Sequence, residues 1–128
     1  MKVPDGITET VLVIEDDHSV RNIVREMLQR SGYTVMEASD GAEGVDVYRN
    51  HGKGIHLIIS DVIMPKKNGR QVYDEIKQLN SNAKVLFMSG YSADILDNRI
   101  IRENGHNFIA KPMRPQDLLG KIREILDT

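Results

Sequence analysis

The sequence alternates five times between short β-branched segments and amphipathic helical segments, from Thr10 to Asp127. The first strand-like segment is Thr10–Ile14, and apolar residues then recur from Val20 to Leu28 at the spacing of one helix face. A helix between two strands carries the chain across the sheet and returns it in the same direction. The alternation therefore predicts a single α/β domain, with a five-stranded parallel sheet covered by helices on both faces.

Turn and capping residues set the bounds of the later elements. Gly32 ends the first helix, and Asp40 followed by Glu43 has capping-box spacing, which predicts a second helix. Ser92 is expected to cap the fourth helix, and Pro115 suits the first turn of the last one. The later strands are predicted at 33–38, 55–61, 83–88 and 107–110. The expected apolar faces are Val20, Ile23, Val24, Met27 and Leu28 in the first helix; Val72, Ile76 and Leu79 in the third; Ile95, Leu96, Ile100 and Ile101 in the fourth; and Leu118, Leu119, Ile122, Ile125 and Leu126 in the last.

The stretch from Ile55 to Gly69 carries the clearest functional signal. A run of apolar residues stops at Asp61, and Pro65 and Gly69 then break the chain into a loop, which is typical of a buried strand in a parallel sheet. Ligands of open α/β sheets bind outside the carboxyl ends of the strands. Asp61 is therefore expected where such a sheet carries out its chemistry. Its carboxylate is suited to bind a metal, to accept a proton or to act as a nucleophile.

Other reactive side chains also follow predicted strands. Glu15 and Asp16 follow the first strand, Ser89 ends the fourth and Lys111 follows the fifth. Because the carboxyl ends of parallel strands emerge on one edge, we expect these residues to converge with Asp61. Crowded carboxylates raise one another's pKa unless a cation lies among them, and such oxygen ligands suit Mg²⁺. Each residue alone is explained as well by loop solubility, but their convergence predicts an Mg²⁺ site at which Asp61 becomes an aspartyl phosphate.

Composition excludes several classes of function. The chain has 128 residues, the size of one domain, and its net charge of −2 gives no general attraction to nucleic acid or membranes. It contains no cysteine, so disulfides and thiolate metal sites are excluded. No apolar stretch approaches the ~20 residues of a membrane helix, and the start of the chain lacks a signal-peptide core. We therefore expect a cytoplasmic domain at 10–128, preceded by a polar linker or leader at 1–9.

The motifs at the strand ends resemble those of the receiver domains of two-component response regulators. They are Val-Leu-Val-Ile-Glu-Asp-Asp, Ser-Asp-Val-Ile-Met-Pro-Lys-Lys-Asn-Gly, Met-Ser-Gly-Tyr-Ser and Ala-Lys-Pro, and the resemblance covers about Thr10 to Asp127. It implies a flavodoxin-like (βα)5 fold that takes a phosphoryl group from the phosphohistidine of a histidine kinase or a histidine phosphotransfer protein. The leader and the Met-Ser-Gly-Tyr-Ser stretch are similar to those of receivers in hybrid histidine kinases; a stand-alone regulator is the alternative.

The resemblance also implies a role for each matched position. The implied roles are phosphoacceptor and metal ligand for Asp61; direct Mg²⁺ ligand for Asp16, ligand through water for Glu15 and backbone-carbonyl ligand for Ile63; switch hydroxyl for Ser89; partner of the acyl phosphate for Lys111; and a cis peptide bond before Pro112. That cis bond would aim Lys111 into the pocket. Mg²⁺ and Lys111 would then offset charge on the transferring phosphoryl group while Asp61 attacks in line.

Two features predict how the phosphorylated state behaves. Phe108 stands where many receivers have tyrosine, so its inward turn when Ser89 moves would depend on packing alone; a plain core role explains it equally well. Ile63 and Tyr91 lie two residues after Asp61 and Ser89, on the expected path of a hydrolytic water. These side chains offer little to orient that water and help to exclude it, which predicts slow autodephosphorylation.

Two other functions compete with this hypothesis. A Mg²⁺-dependent phosphatase with an aspartate nucleophile, similar to haloacid dehalogenases, also places Asp after a buried strand, but such enzymes usually carry a second acid where this chain has Ile63. A receiver-like module that is never phosphorylated would usually have lost an acid or the lysine, and all are present here. We therefore expect a phosphoacceptor domain that assists its own phosphorylation, and not an enzyme.

The signal is expected to leave through a surface, because no output segment follows Asp127. The family's usual output surface is the face of the fourth helix, the fifth strand and the last helix, where Ile100, Ile101, Phe108 and Arg114 are candidates; either isoleucine suits the core as well. The same face is a candidate homodimer contact. Neither direct nucleic-acid binding nor membrane insertion is expected.

Overall fold

The computed structural model describes residues 8–64, 66–90 and 107–128. Its strands are β1 (Thr10–Ile14), β2 (Thr34–Ala38), β3 (Leu57–Asp61), β4 (Val85–Ser89) and β5 (Phe108–Ala110). Its helices are α1 (His18–Arg30), α2 (Gly41–His51), α3 (Gly69–Leu79) and the C-terminal helix (Pro115–Leu126), and a 3₁₀ turn covers Gly52–Gly54. None of these described helices has the length and apolar character needed to cross a membrane. The helix predicted from Ser92 lies outside the described residues.

The five strands form one parallel sheet in the order β2-β1-β3-β4-β5. The predicted parallel sheet is therefore confirmed, and β2, which has the most mixed composition, is an outer strand. In the register, Ile14 pairs with Ser60, and Asp61 pairs with Met88. The residues that follow β1 consequently lie beside the end of β3, and Ser89 lies one residue beyond the partner of Asp61.

Apolar cores lie on both faces of the sheet. Successive residues of β1 alternate between them, so that Leu12 and Ile14 pack with residues of α2 and α3, while Val11 and Val13 pack with residues of α1 and the C-terminal helix. All four side chains are fully buried. Strands covered on both faces need continuous apolar runs, which is why β1 lacks a polar residue after Thr10. The doubly wound α/β fold predicted from the alternation is confirmed.

The apolar faces predicted for α1 and α3 each include one residue whose side chain is exposed in the structure. Ile23 is 54% exposed and Leu79 is 46% exposed, whereas we expected both side chains in the core. In α1 the residues that face the sheet are Val24 and Leu28, both fully buried. Adjacent helical residues point about 100° apart, so Ile23 lies at the edge of this stripe. Leu79 is the last residue of α3.

The start of α2 differs in detail from the predicted capping box. The Asp40 carboxylate accepts a hydrogen bond from the Glu43 N–H at 2.8 Å, as predicted. However, Glu43 accepts from the N–H of Ser39 at 2.6 Å, so the bond back to Asp40 is replaced by a bond to the preceding residue. At the end of α1, Gly32 has a φ of 101°, in agreement with its predicted role as the helix terminator.

The start of α3 holds the loop that follows β3. Asn68 and Gln71 form a complete capping box, in which each side chain accepts from the other residue's backbone N–H at 2.9 Å. A Cβ atom on Gly69 would lie 2.7 Å from the carbonyl oxygen of Asp61. Only glycine therefore lets α3 begin this close to the end of β3, which keeps the Asp61 loop compact.

Candidate functional site

Three carboxylates meet at the carboxyl ends of β1 and β3. One oxygen from each of Glu15, Asp16 and Asp61 lies within 4.8 Å of the other two. Glu15 is fully buried and Asp61 is 8% exposed, whereas Asp16 is exposed. The predicted convergence of these three acids is confirmed, and the cluster opens to solvent on the side of Asp16.

Lys111 reaches the same cluster from the end of β5. Its Nζ atom lies 2.7 Å from Glu15 Oε1 and 3.2 Å from Asp61 Oδ2. Its backbone N–H donates to the Ser89 carbonyl at 2.7 Å, and its peptide bond to Pro112 is cis, as expected. The ammonium group thus bridges acids from two different strands. Its single positive charge contacts two of the three carboxylates, so the acids outnumber the cation that contacts them in the described part of the chain.

The Asp61 side chain is held in one orientation. Its Oδ1 atom accepts a hydrogen bond from the Val62 N–H at 2.9 Å, and its Oδ2 atom faces Lys111. The Ser60 hydroxyl donates to the Asp61 carbonyl at 3.0 Å, which fixes the backbone at the same residue. The side chain remains 11% exposed. One carboxylate oxygen is therefore bound by the backbone, while the other points toward the charged cluster.

The electrostatics of the cluster follow from burial and from like charge. Burial raises the pKa of Glu15, and the neighbouring Asp61 carboxylate raises it further against the opposing effect of Lys111. The pKa of Asp16 is also raised, first by burial and then by Glu15. Burial alone would lower the pKa of Lys111, but its bonds to Glu15 and Asp61 outweigh this, so the pKa is raised and the lysine stays charged.

This donor set suits a hard divalent cation. Carboxylate oxygens from neighbouring strands, one of them open to solvent, are the arrangement in which Mg²⁺ keeps part of its water shell. The raised pKa values of Glu15 and Asp16 indicate that an added positive charge would stabilise the ionised acids. The three acids therefore fit the metal that the sequence predicts.

The predicted switch residues lie on the two strands beyond Asp61. Ser89 is the last residue of β4 and is 3% exposed, and it pairs in register with Ala110 of β5. Phe108 is partly buried, pairs with Phe87 and packs against the core that includes α3. Ser89 is thus close to the acids. Phe108 lies in β5 two residues before Ala110, the residue that pairs with Ser89.

The remaining predicted residues lie at the rim of the site or outside the described part of the chain. Ile63 is 60% exposed, and the side chain of Arg114 is 72% exposed and pairs with Asp117 at 2.9 Å. Pro112 is also exposed. Tyr91, Ile100 and Ile101 lie outside the described residues, as does Pro65 in the loop after Asp61.

Arg21 of α1 lies at the site but was not predicted from the sequence. Its Nη1 atom donates to the carbonyl oxygen of Glu15 at 2.8 Å, so this helix contacts the backbone that carries two of the acids. Arg21 also pairs with Glu37 of β2 at 3.3 Å. A sequence signal exists, since a basic residue lies within two turns of the acids. It is weak, because the direction of a helical side chain depends on how the helix is rotated against the sheet.

The sequence matches a family model described as the response regulator receiver domain, over residues 11–123. The chemotaxis protein CheY of Treponema pallidum is 31% identical over 124 residues, which are 96% of this chain and 86% of that protein. The sensor kinase CckA of Brucella abortus is 31% identical over 118 residues, which are 92% of this chain but 12% of the kinase. The aerobic respiration control protein ArcA of Escherichia coli is 29% identical, and the chain spans 49% of its length.

Solved structures show the same similarity. A response regulator receiver domain protein from Clostridium thermocellum superposes with a TM-score of 0.84 at 28% identity, over 93% of this chain and 94% of that one. The receiver domain of the hybrid histidine kinase CckA superposes with a TM-score of 0.76 at 30% identity, over 91% of this chain and 98% of that one. The chain is thus similar to free-standing receivers and to receivers within longer proteins.

Proposed function

The chain belongs to the family of response regulator receiver domains, the phosphoacceptor signalling domains of two-component systems, and from this we propose that Asp61 is the phosphoacceptor. The observation that carries the assignment is the position of Lys111, whose ammonium group contacts both Glu15 and Asp61. A lysine in this position offsets charge where a phosphoryl group would arrive on Asp61. We assign the phosphohistidine of a histidine kinase or of a histidine phosphotransfer protein as the donor.

The metal in this proposal is Mg²⁺. The carboxylates of Glu15, Asp16 and Asp61 and the backbone carbonyl of Ile63 would hold it. When bound, it supplies positive charge to the phosphoryl oxygens. The three clustered carboxylates and the raised pKa values of Glu15 and Asp16 support this assignment.

The residues of the chain position the attacking oxygen. The Val62 N–H holds Oδ1 of Asp61 at 2.9 Å, so Oδ2 is the oxygen left to attack phosphorus in line. The Oδ2–P bond forms as the P–N bond to the donor imidazole breaks, and the imidazole nitrogen keeps the electron pair. Lys111, 3.2 Å from Oδ2, stays close to the charge carried by the phosphoryl oxygens.

We also propose that Ser89 and Phe108 transmit the change. Ser89 is nearly buried beside Asp61 on the next strand, within reach of new acceptor oxygens on a phosphorylated Asp61. Phe108 has no hydroxyl group, so its response to a shift of Ser89 depends on packing against the core. The exposed apolar side chain of Ile63 offers no group that orients a hydrolytic water, which supports slow autodephosphorylation.

An apolar groove beside the site supports a docking surface for the donor. The groove has a volume of about 380 Å³ and is lined by Val20, Ile23 and Met27 of α1 and by Lys111, Pro112 and Met113 after β5. Lys111 belongs to both the groove and the acidic cluster. A donor protein that covers the exposed Ile23 would therefore bring its phosphohistidine to the mouth of the site.

The wider assignments are proposals of the same kind. We propose a cytoplasmic receiver domain at 10–128 with a leader at 1–9. The domain signals through the face of β5, the C-terminal helix and the segment between β4 and β5, and the same face is the proposed homodimer contact. It makes no direct contact with nucleic acid. The alternative of a phosphatase with an aspartate nucleophile has no support, since its second acid would stand at the exposed Ile63.

Intact-mass spectrometry tests the assignment of Asp61. The protein is incubated with a small phosphodonor and Mg²⁺, and we expect the mass of one phosphoryl group to be added to the wild type and to Asp46→Asn, a surface control. Asp61→Asn should gain nothing. An equal gain in Asp61→Asn would place the acceptor elsewhere, and no gain in the wild type would contradict the proposed function as a whole.

A further inference from the structure

Arg21 connects three elements around the first two acids. Its Nη1 atom donates to the Glu15 carbonyl at 2.8 Å, its Nε atom lies 3.3 Å from Glu37 Oε1 of β2, and its Nη2 atom lies 3.1 Å from His18 Nδ1. A guanidinium group only donates, so His18 Nδ1 accepts. The side chain of Arg21 is 15% exposed. Its planar group is therefore held from three directions, which leaves little freedom at the Glu15 carbonyl.

The contact lies where β1 leaves the sheet. The ladder between β1 and β2 ends at Ile14 and Ala38, and the Glu15 N–H still donates to the Ala38 carbonyl at 3.1 Å. Beyond that bond the Glu15 carbonyl is bound by Arg21 of α1 instead of by a strand. The peptide unit that this carbonyl belongs to joins Glu15 to Asp16. Its orientation sets the direction in which both carboxylates point.

We propose that Arg21 is a positioning residue for Mg²⁺ binding, because it fixes the Glu15–Asp16 peptide while its own charge is balanced by Glu37. This inference rests on the proposed function, since it assumes that the acidic cluster binds the metal. Arg21 does not touch the reacting atoms, so it acts through the two acids. We expect the loss of Arg21 to raise the Mg²⁺ dissociation constant while the protein stays folded.

Arg25 provides a matched control. It lies one turn later on α1 and pairs with the same Glu37 at 3.5 Å. Arg21→Ala and Arg25→Ala therefore each remove one cation from one carboxylate. Only Arg21 also contacts the backbone of Glu15. A difference between the two variants consequently reports the contacts that Arg21 makes beyond Glu37, to the Glu15 carbonyl and to His18, and not the change in net charge.

The experiment measures the Mg²⁺ dissociation constant by isothermal titration calorimetry, with circular dichroism to check the fold. We expect Arg21→Ala to raise the dissociation constant by about tenfold or more, as for other residues that orient metal ligands, and Arg25→Ala to change it less than twofold. Arg21→Lys should restore only part of the Mg²⁺ affinity, because an ammonium group cannot reproduce the three hydrogen-bond directions of the guanidinium. This variant also decides the test if Arg21→Ala does not fold.

Equal dissociation constants for the Arg21 and Arg25 variants would overturn the inference, as would full recovery with lysine. A wild-type protein that binds no Mg²⁺ would instead contradict the proposed function. The two failures are thus distinguished in one titration series.

Discussion

Lys111 lies closer to Glu15 than to Asp61: its Nζ atom is 2.7 Å from Glu15 Oε1 and 3.2 Å from Asp61 Oδ2. Glu15 has no exposed surface, and the Lys111 side chain is 17% exposed. The lysine therefore stabilises a buried acid as well as serving the proposed phosphoacceptor. Because of this double role, we expect Lys111 to affect the stability of the fold as well as phosphorylation.

Removal of Lys111 should destabilise the metal-free protein. Lys111→Met leaves the buried Glu15 carboxylate without its cation, which typically costs about 3 kcal/mol or more in free energy of unfolding. Urea unfolding in EDTA measures the effect. Lys121→Met is the control, because the Lys121 side chain is 19% exposed, much like Lys111, but its partner Glu124, at 3.7 Å, is 67% exposed, so this pair should contribute less than about 1 kcal/mol. Equal losses in both variants would show that the buried pair stabilises the fold no more than a pair with an exposed partner.

Neutralising Asp16 should stabilise the metal-free protein at neutral pH. The folded-state pKa of Asp16 is raised, so the unfolded chain ionises first as the pH rises, and folding loses stability through this interval. Asp16→Asn avoids that loss. We expect a higher melting temperature than the wild type at pH 7 in EDTA, and a smaller difference at a pH below the ordinary carboxyl range.

Mg²⁺ should reverse the sign of this effect, because the wild type then gains a ligand that Asp16→Asn binds poorly. Asp46→Asn is the control: its carboxylate is on the surface, paired with Arg49. A higher melting temperature in this control too, or Asp16→Asn destabilised at pH 7 in EDTA, would argue against repulsion within the cluster.

A polar residue at position 63 should shorten the phosphoryl lifetime. Ile63→Asn introduces a group that can orient a hydrolytic water at the exposed rim, and we expect autodephosphorylation to accelerate roughly tenfold. The decay of the phosphorylated mass after removal of the small phosphodonor measures this rate. Ile23→Asn, at a similarly exposed isoleucine on α1, should leave the decay unchanged. An unchanged lifetime in Ile63→Asn would refute the role of this residue.

The proposed docking groove can be tested with two exposed apolar residues. Ile23→Asp places a charge in the groove, whereas Leu79→Asp places one at the end of α3, outside it. With a phosphorylated histidine phosphotransfer protein as donor, we expect Ile23→Asp to slow transfer by about tenfold, a typical loss for an anchor residue. Labelling by a small phosphodonor should stay normal in both variants. If the Leu79 variant slows transfer as much, the groove is not the docking surface.

The fold and most of the site were predictable from local patterns. A parallel sheet brings the carboxyl ends of its strands to one edge, so Glu15, Asp16, Asp61 and Lys111 could be placed together from their positions after strands alone. Gly69 was predicted only to break the chain after Asp61, and its close approach to the Asp61 carbonyl is seen only in the structure.

Contacts that depend on helix rotation were not predictable. Arg21 reaches the Glu15 carbonyl, and Ile23 turns to solvent, only because α1 is rotated so that Val24 and Leu28 face the sheet. The partner of the Glu43 side chain was not predictable either, since its carboxylate accepts from the Ser39 N–H and not from that of Asp40. A sequence pattern gives the period of a helix but not its rotation to within one residue.

The most direct test of whether Asp61 is the phosphoacceptor is to locate the phosphoryl group on the chain. Borohydride reduces an acyl phosphate of aspartate to homoserine, and peptide sequencing by mass spectrometry then identifies the residue. After labelling with a small phosphodonor and Mg²⁺, we predict homoserine at position 61 and unchanged acids at positions 15 and 16. Reduction at Glu15 or Asp16, or a labelled protein without homoserine at position 61, would contradict the assignment of Asp61 as the phosphoacceptor.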